Sequence, residues 1–516
     1  MKLLTMLLQE SAVRPDVRMR CIIDGNDGDA DGSIVSIIRA DPTVKAFGLH
    51  GISKEPIAVK AVLLPQAKLR YGGGAIVDPM LTGSWAMDGK KFSHPPANAQ
   101  NIGYGILIVG GRGPPTDEVL GPVAEFQKAL DKDAALAGLK LVIMGTYLSC
   151  SGSLDSIATK VKLMANARFL VVVLLDDCYR EVKFAADKLG VTTQCCKFRK
   201  LERLPRGYSQ NIMLKINTKL GGTNHTLISR LSTSSAGSAP VFQDPPASIA
   251  WIFDKPVMLV GIDVSHGETM ISQESVAAVV GSMDGRAGQY AAHISVQAAR
   301  VEMVSALETA ITSLLTTFRQ RNSNKMPSSI IVYRDGVGEG QFSQVTTTEL
   351  SAIRGAVELM GFTTDAVKIM IVICQKGHHT RFVYEEQVPG SKPTFINPCP
   401  GLCIDASGGE DSIASGRLNE FYLNSHVAIQ GTAKPCKYTL VHDEIGFKIS
   451  ELEILTYWLT YMYCRANKSV SYASPAYYAH WASKRGKYLT AAGATATDLE
   501  DISRVWGTSL KPMFFI

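Results

Sequence analysis

Two apolar segments of the chain each end near an acidic residue, and this pair constrains the fold more than any other feature. The run 257–266 (VMLVGIDVSH) carries Asp263, and the run 329–341 (SIIVYRDGVGEGQ) carries Asp335 just before a group of glycines. Apolar runs bounded by turn residues are typical of buried strands. If these strands are neighbours in a sheet, their ends lie about 5 Å apart. The pattern therefore predicts that both carboxylates can bind shared divalent cations.

The segments between these two strands indicate an order of elements. Residues 275–285 and 288–297 have the composition of strands, and residues 301–320 carry apolar side chains at helical spacing. The order strand, strand, strand, helix, strand is that of ribonuclease H-like nucleases, in which carboxylates from the first and fourth strands bind two Mg²⁺ ions. An aspartate after a strand is also common as a turn residue or a helix cap. Either aspartate by itself could be such a turn residue or cap. The two aspartates together with the order of strands and helix favour a catalytic site.

The composition is that of a globular protein with two to four domains. The chain has 516 residues, of which 46% are hydrophobic and 19% charged, and its net charge of +6 permits a nucleic-acid partner without establishing one. Its longest apolar runs, such as 169–175 (FLVVVLL), are far shorter than the roughly 20 residues that span a membrane. Residues 1–16 lack the features of a signal peptide, so we expect a cytoplasmic or nuclear protein. The ten scattered cysteines are expected to be reduced packing residues.

A regular alternation of strands and helices begins near residue 104. Three strand-helix pairs follow one another between residues 105 and 190, which predicts a parallel sheet with helices on its faces. The glycines of 110–115 (GGRGPP) lack the spacing of a dinucleotide-binding loop, so no NAD site is expected. The expected fold class is α/β, with a Rossmann-like domain followed by a ribonuclease H-like domain.

Basic and aromatic residues collect at the end of this alternation. Tyr179 and Lys183 are four residues apart on a predicted helix and share a face, and Gln194, Lys215 and Lys219 follow. Such a group can bind a phosphate while the aromatic ring stacks on the attached base. A solvated lysine-rich face would give the same pattern. The residues alone leave both alternatives open.

The second half of the chain contains two predicted loops, one further helix and an apolar end. Residues 230–250 and 383–416 have the Ser, Pro and Gly content of surface loops. The segment 472–488 reads as a helix start that bears His480 and is followed by basic residues. The last four residues, 513–516 (MFFI), are apolar, and we expect them to be packed against the protein.

Several long segments resemble Argonaute proteins of the eukaryotic type, in the order in which that family has them. They include GIDVSH, SVAAVVGSMDG, YRDGVGEGQF, QKGHHTR, AIQGT, SPAYYAHWASKRGKY, KINTKLGG and YREVK. The resemblance covers the connector, middle (MID) and PIWI regions of the family and omits its N-terminal and PAZ domains. It implies a connector at 1–84, a MID domain that binds a guide 5′-phosphate at 85–229, and a ribonuclease H-like PIWI domain at 230–516.

The resemblance implies a catalytic tetrad of three acids and one further acid or histidine. Asp263 and Asp335 match the first and third positions, Glu302 matches the mobile second glutamate, and His480 matches the fourth. Glu308 competes with Glu302 by composition, but it lies further along the helical pattern, where we expect solvent exposure. The set would bind two Mg²⁺ or Mn²⁺ ions through Asp263, Asp335 and His480, and would leave a 5′-phosphate and a 3′-hydroxyl.

The resemblance also implies two sets of guide-binding residues. The guide 5′-phosphate would be bound by Tyr179, Lys183, Gln194, Lys215, Lys219, Arg485 and Ile516. The guide backbone would be bound by Lys376, His379, Arg381, Tyr463 and Arg465. Gly377 stands where the family often has another basic residue, so one backbone contact is expected to be lost. One residue fewer than in animal members separates Lys183 from Gln194, so the loop that reads the first guide base is expected to differ.

The implied function is that of a small-RNA-guided silencing effector. It would bind the 5′-phosphorylated end of a guide RNA, cleave complementary target RNA with a divalent metal, and associate with silencing-complex proteins but with no membrane. Two alternatives stay open. One is a guide-binding silencing module with little or no cleavage activity, and the other is an unguided ribonuclease H-like enzyme.

Overall fold

The computed structural model describes residues 12–23, 33–48, 53, 55–111, 113–228, 249, 252–253, 255–267, 274–386, 394–405, 419–509 and 513–516. The chain forms two compact units. The smaller unit comprises Met1–Pro65, Met80–Gly83 and Gln375–Thr439. The larger unit comprises Gln66–Pro79, Ser84–Cys374 and Leu440–Ile516.

The larger unit contains the predicted parallel sheet. Its strand Ile102–Val109 pairs with Leu141–Ile143, Leu148–Cys150 and Phe169–Leu174, and the last of these pairs with Thr193–Lys197, always in parallel. All six side chains of Phe169–Leu174 are buried, as expected for a parallel sheet covered on both faces. The alternating helices are Asp117–Leu136, Leu154–Leu163, Tyr179–Lys188, Phe198–Leu201 and Tyr208–Lys219. The prediction of a Rossmann-like arrangement is confirmed.

A second sheet of the larger unit carries both predicted acids. The strand Val257–Ser265, called the Asp263 strand below, pairs antiparallel with Glu274–Ser282, which pairs antiparallel with Tyr290–Ala298. On its other side the Asp263 strand pairs in parallel with Ser329–Asp335, the Asp335 strand, which pairs in parallel with Lys368–Gln375. This is the strand order expected of a ribonuclease H-like fold. The predicted α/β fold class is therefore confirmed.

Helices cover this second sheet. They are Leu307–Arg321, Phe342–Gln344, Leu350–Leu359, Ile449–Leu459, Ser474–Ala491 and Ala496–Thr508, with shorter helical turns at Glu339–Gln341, Val345–Glu349, Thr364–Ala366 and Thr460–Met462. Side chains such as Ile311, Leu315 and Phe318 pack in one apolar core with Val260 and Ile262 of the Asp263 strand. The helix Ser474–Ala491 is called the His480 helix below. The last helix, Ala496–Thr508, was not predicted from the sequence pattern.

The predicted helix over 301–320 begins later than expected, at Leu307. The side chain of Gln297 explains the difference. Its Nε2 donates to the carbonyl oxygens of Val301 (2.6 Å) and Met303 (3.1 Å), and its Oε1 accepts from the backbone N–H of Ser305 (3.1 Å). These bonds hold the segment before the helix in an irregular turn, so Glu302 lies in that turn and not on the helix.

The smaller unit consists of short elements. Its helices and strands are Pro15–Ile23, Ile34–Ala40, Pro42–Ala46, Val62–Leu63, Tyr384–Glu386, Thr394–Ile396, Leu402–Asp405 and Asn419–Asn424, and Cys436–Asp443 begins in it. Val62–Leu63 pairs antiparallel with Leu402–Asp405, which pairs antiparallel with Asn419–Asn424. The predicted loop 383–416 therefore contains short strands. Its residues 387–393 and 406–416, and most of the predicted loop 230–250, lie outside the described residues.

Three predictions about chemistry and packing can be compared with the structure directly. All ten cysteines are free thiols, as predicted. Met513, Phe514, Phe515 and Ile516 are buried, so the prediction of a packed apolar end is also confirmed. No helix in the described ranges combines the length and the apolar character needed to cross a bilayer.

Candidate functional site

The two predicted acids lie on adjacent strands, Asp335 as the last residue of its strand and Asp263 two residues before the end of its strand. Ile262 lies opposite Arg334 in the parallel pairing of the two strands, so Asp263 and Asp335 are the next residues along these two strands. Asp263 is 6% exposed. Both carboxylates influence the phenol of Tyr472. Burial raises the pKa of Tyr472 well above its ordinary value, and the charges of Asp335 and Asp263 raise it further. The structure therefore brings the first and third candidate catalytic acids together.

His480 and Ser483 hold the carboxylate of Asp263. His480 Nδ1 lies 3.6 Å from Asp263 Oδ2, and the Ser483 hydroxyl donates a hydrogen bond to the same oxygen. These two residues are three apart on the His480 helix and so share a face. Burial opposes ionisation of Asp263, but the hydrogen bonds from His480 and Ser483 and the charges of His480 and Arg334 outweigh it, and the pKa of Asp263 lies below its ordinary value.

Two glycines allow the His480 helix to lie directly on the sheet. A Cβ atom on Gly261 of the Asp263 strand would stand 2.0 Å from the carbonyl oxygen of Pro475, in the first turn of the helix. A Cβ atom on Gly486 of the helix would stand 2.5 Å from Val276 and 2.7 Å from Ile294. Both distances are shorter than van der Waals contact, so a larger residue at either position would push the helix away from the acids.

Glu302 is held by a buried network centred on Arg334. The fully buried Arg334 guanidinium donates to Glu302 Oε1 (2.9 Å) and to the Glu302 carbonyl oxygen (2.6 Å), and its Nε donates to Glu349 (3.1 Å). His266 Nε2 lies 2.9 Å from Glu302 Oε2. Burial raises the pKa of Glu302, although Arg334 and His266 oppose that shift.

The Glu302 carboxylate lies near the Asp335 end of the site. A Cβ atom on Gly336, the residue after Asp335, would stand 3.2 Å from Glu302 Oε1. Gly336 has a φ of +88°, a conformation that glycine adopts without strain. The competing residue Glu308 is exposed in the first turn of its helix, as expected. The structure therefore brings Glu302 to the same strand end as Asp335.

These residues fit a divalent cation by chemical type. Carboxylate oxygens and a neutral imidazole are donors that Mg²⁺ and Mn²⁺ accept, and Asp263, Asp335 and His480 present them at one edge of the sheet. In the rotamers of the described residues, no three His, Cys, Asp or Glu side chains converge closely enough to hold a metal ion. The assignment of these residues as metal ligands stays a prediction.

A second candidate site is a cavity of about 120 Å³ in the same unit. All seven residues predicted for the guide 5′-phosphate line it. The complete lining is Tyr179, Lys183, Gln194, Cys195, Lys215, Lys219, Arg465, Trp481, Arg485, Tyr488, Phe515 and Ile516. Five of these side chains are cationic, and within the described residues none is an aspartate or a glutamate. The structure therefore assembles a cationic pocket, called the anion pocket below.

Lys183 and Lys219 of the anion pocket are buried and Lys215 is half-buried, which excludes a solvated lysine-rich face. Lys183 is 2% and Lys219 is 3% exposed. Lys219 Nζ donates to the Thr193 carbonyl oxygen (3.0 Å) and to Gln194 Oε1 (2.9 Å), and Lys183 Nζ donates to the Thr193 hydroxyl (2.7 Å). Burial lowers the pKa of Lys219 well below its ordinary value, and the charges of Lys183 and Arg485 lower it further.

Arg485 is the pocket cation with a buried carboxylate partner. Its Nη1 lies 2.7 Å from Asp187 Oδ2, and its Nη2 donates to the Tyr179 hydroxyl at 3.4 Å. The Tyr179 ring meets the Tyr488 ring edge-on, with centroids 5.3 Å apart. Burial would lower the pKa of Arg485, but Tyr179 and Asp187 outweigh it and raise that pKa. Arg485 is therefore charged and fixed in place.

The predicted guide-backbone residues are divided between the two units. Lys376, His379 and Arg381 belong to the smaller unit, in which Arg381 donates to the carbonyl oxygens of His378 (3.0 Å) and Thr380 (2.8 Å). Tyr463 and Arg465 belong to the larger unit. Tyr463 is only 5% exposed, whereas Arg465 is half-buried and lines the anion pocket. Within the larger unit, the structure joins Arg465 to the 5′-phosphate set.

Several residues of both sites were missed from the sequence. Ser483 and Asp187 were detectable, because each shares a helical face with a predicted residue, three after His480 and four after Lys183. Arg334 and Glu349 gave no local signal, because their pairing depends on tertiary folding. Tyr472, His266, Trp481 and Tyr488 were likewise not singled out.

The comparisons with known proteins agree with this fold. Residues 170–491, more than half of the chain, match the family model of the Piwi domain, so the chain belongs to the Argonaute/Piwi family, whose Piwi domain is ribonuclease H-like. It is 32% identical to protein argonaute 5 of Arabidopsis thaliana, over 94% of this chain and 48% of that protein. The chain thus spans about half the length of the curated relative it matches. The resemblance to a eukaryotic Argonaute is confirmed.

Solved structures share the fold at low sequence identity. The C-terminal lobe of a budding yeast Argonaute has a TM-score of 0.74 at 20% identity, covering 89% of this chain and 95% of that chain. Kluyveromyces polysporus Argonaute, whose structure was determined with a guide RNA, has a TM-score of 0.76 at 20% identity, covering 93% of this chain and 59% of that chain. These likenesses establish the common fold.

Proposed function

We propose that this chain is the guide-binding and target-cleaving part of a small-RNA-guided silencing effector. In this proposal, residues 85–229 form a MID domain, residues 230–516 a PIWI domain and residues 1–84 a connector. The observation that carries the proposal is the anion pocket, in which five lysine and arginine side chains, three of them buried, surround a cavity of about 120 Å³. Membership of the Argonaute/Piwi family supports the same function.

The anion pocket is suited to a terminal phosphate. Lys183 and Lys219 are buried cations whose mutual repulsion a phosphate dianion would relieve, and Arg485 is fixed by Asp187. Charge-assisted hydrogen bonds to phosphate oxygens are short and strong in such surroundings. The Tyr179 ring, held by Tyr488, offers a surface for the first guide base. The pocket would therefore bind a 5′-phosphorylated end more tightly than a 5′-hydroxyl end.

The acid pair is suited to phosphodiester cleavage. Asp263 is held ionised by His480 and Ser483, and Asp335 lies beside it. Together with His480 they would hold divalent cations, which supply activation of water and charge stabilisation at the leaving 3′-oxygen. Glu302 completes the acidic set from its position beside Gly336. His480 keeps the Asp263 carboxylate oriented.

One experiment tests binding and cleavage together. The protein is given a 5′-phosphorylated guide and a labelled complementary RNA, with Mg²⁺ or with EDTA, and Asp335→Ala serves as the matched variant. We expect a single Mg²⁺-dependent cut that Asp335→Ala abolishes while the guide still binds with unchanged affinity. Cleavage that persists in Asp335→Ala would contradict the assigned acid pair.

The same experiment separates the alternatives. Tight, 5′-phosphate-dependent guide binding without a cut would identify a guide-binding silencing module. Mg²⁺-dependent cutting that ignores the guide and its 5′-phosphate would identify an unguided nuclease. Equal affinity for 5′-phosphorylated and 5′-hydroxyl RNA would overturn the role of the anion pocket.

A further inference from the structure

The anion pocket contains one cation that is held differently from the others. The guanidinium carbon of Arg465 lies 3.8 Å from the ring centroid of Trp481, and both residues line the pocket. In the described part of the chain this guanidinium has no carboxylate within ion-pair distance, unlike Arg485, which pairs with Asp187. The interaction that orients Arg465 is therefore a cation–π stack on the indole.

The charge of Arg465 is repelled by a neighbouring cationic side chain, Lys215. Burial lowers the pKa of the neighbouring Lys215, and the charge of Arg465 lowers it further. A guanidinium stacked on an aromatic face keeps its N–H donors at the edge of the stack, where they remain available to an anion. Trp481 therefore holds the Arg465 guanidinium beside other positive charges, and among the described residues the guanidinium N–H groups of Arg465 donate no hydrogen bond.

The position of Trp481 indicates which anion the Arg465 guanidinium would bind. Trp481 directly follows His480, and their ring centroids are 6.2 Å apart, whereas Lys183, Lys219 and Arg485 form the buried part of the same pocket. Arg465 is half-buried and so lies nearer the opening than these three residues. An RNA whose terminal phosphate occupies the buried part would bring its next phosphates to the opening.

We propose that Trp481 is a positioning residue that stacks Arg465 into place to bind an internucleotide phosphate close to the guide 5′ end. This inference rests on the proposed function, because it assumes that the anion pocket holds the guide terminus. It adds Trp481 as a residue that acts through Arg465, for which the family resemblance already implies a contact to the guide backbone.

The test uses RNAs that differ by one charge. Binding of a short 5′-phosphorylated RNA is compared with that of RNAs carrying a single neutral methylphosphonate at the first, second or third linkage. For the unmodified RNA, Trp481→Leu weakens binding about fivefold and Trp481→Phe about twofold, because the smaller ring keeps part of the stack. One of the methylphosphonate RNAs lacks the phosphate charge that Arg465 contacts, so Arg465→Ala does not weaken its binding. For that same RNA, Trp481→Leu and Trp481→Phe do not weaken binding either.

Control variants distinguish positioning from general damage. Lys484 lies 5.3 Å from the same indole but does not line the pocket, so Lys484→Ala changes the affinity for every RNA by the same factor. Thermal unfolding of each variant confirms that it folds. A Trp481→Leu loss that is equal for all RNAs, or no loss at all, overturns the inference.

The failure of the proposed function gives a different result. If the unaltered protein binds 5′-phosphorylated and 5′-hydroxyl RNA equally, the pocket does not hold a guide end. If it discriminates between them but Trp481→Leu shows no dependence on the linkage, only the role of Trp481 fails.

Discussion

The residues of the anion pocket carry charges that oppose one another in the free protein. Lys219 is almost fully buried beside Lys183 and Arg485, and each of these influences lowers its pKa. Burial and the neighbouring charges therefore destabilise the protonated form of Lys219 relative to that of an exposed lysine, and a bound anion would offset this effect. Below the pKa of an unfolded lysine, near 10.4, the unfolded chain binds a proton more readily than the folded one. The free energy of unfolding therefore decreases as the pH falls from the pKa of lysine in the unfolded chain to the pKa of Lys219 in the folded protein.

The same shift predicts how guide binding depends on pH. Because a 5′-phosphate favours the protonated form of Lys219, binding takes up protons, and the affinity for 5′-phosphorylated RNA should fall as the pH rises toward the ordinary pKa of lysine, near 10.4, while the phosphate itself stays a dianion. Arginine stays charged over this range, so Lys219→Arg should flatten the profile. The measurement is the dissociation constant against pH. An identical slope in Lys219→Arg would contradict the assignment.

Glu349 is predicted to support Glu302 from a distance. It accepts from Arg334 Nε and also from the backbone N–H of Val304 (3.3 Å), so it fixes both the guanidinium and the turn that carries Glu302. Glu349→Gln should reduce target cleavage about tenfold and stability by about 2 kcal/mol, because a buried ion pair loses one charge. Single-turnover cleavage and denaturant unfolding measure the two effects. Wild-type cleavage by a folded Glu349→Gln protein would contradict this role.

Single residues also show the limits of reading this sequence. Asp263 and Asp335 were predictable, because each lies at or near the end of a buried strand and the order of elements makes those strands neighbours. The pairing of Arg334 with Glu349 was not, because it is created when a strand and a helical turn pack together. A local pattern reports burial and periodicity, but it does not report which polar side chains meet in the core.

The elements around the site behave similarly. The strands could be placed to within a few residues from apolar runs, yet the helix expected at 301 begins at Leu307. Val301 and Val304 continue a helical spacing, so the pattern alone extends the helix. The hydrogen bonds from the side chain of Gln297 hold residues before Leu307 in an irregular turn instead. Glu302 therefore lies in that turn, near the strand end that carries Asp335.

Contact between the Asp263 strand and the His480 helix gives a prediction at this scale. Gly261→Ala places a methyl group against the Pro475 carbonyl oxygen, so the helix must move away from the sheet. We expect a loss of about 2 kcal/mol in the free energy of unfolding, and reduced cleavage, because His480 moves relative to Asp263.

A matched glycine provides the control for that prediction. Gly121, inside the helix Asp117–Leu136, has open space around its Cβ position. Gly121→Ala should therefore leave cleavage unchanged and stabilise the protein by up to about 1 kcal/mol. Equal stability of Gly261→Ala and the unaltered protein would show that the close approach is not needed.

Over the whole chain, pairing between distant segments was the least predictable feature. Val62 lies opposite Cys403 in the smaller unit, and neither segment shows in isolation that it needs the other. The net charge was readable from composition, and it is a modest +6. What composition could not show is that five cationic side chains line one small cavity.

That concentration of charge predicts the response to salt. The logarithm of the association constant for single-stranded RNA should fall linearly with the logarithm of the salt concentration. The slope should be roughly −0.7 for each phosphate that the protein neutralises. Removal of the 5′-phosphate should reduce this slope by about 1, because the terminal phosphate carries nearly two charges. Fluorescence anisotropy over a salt series measures both slopes. Parallel lines for the two RNAs would show that the terminal phosphate is not held by the pocket.

The His480 helix has a consequence for how such a protein can evolve. It presents His480 to Asp263 and Arg485 to the anion pocket, and these residues are separated by about 7.5 Å along the axis and about 140° around it. One rigid element therefore sets the geometry of both sites. Substitutions that shift this helix will alter both sites at once, so under the proposed function selection for a different guide end will also change target cleavage.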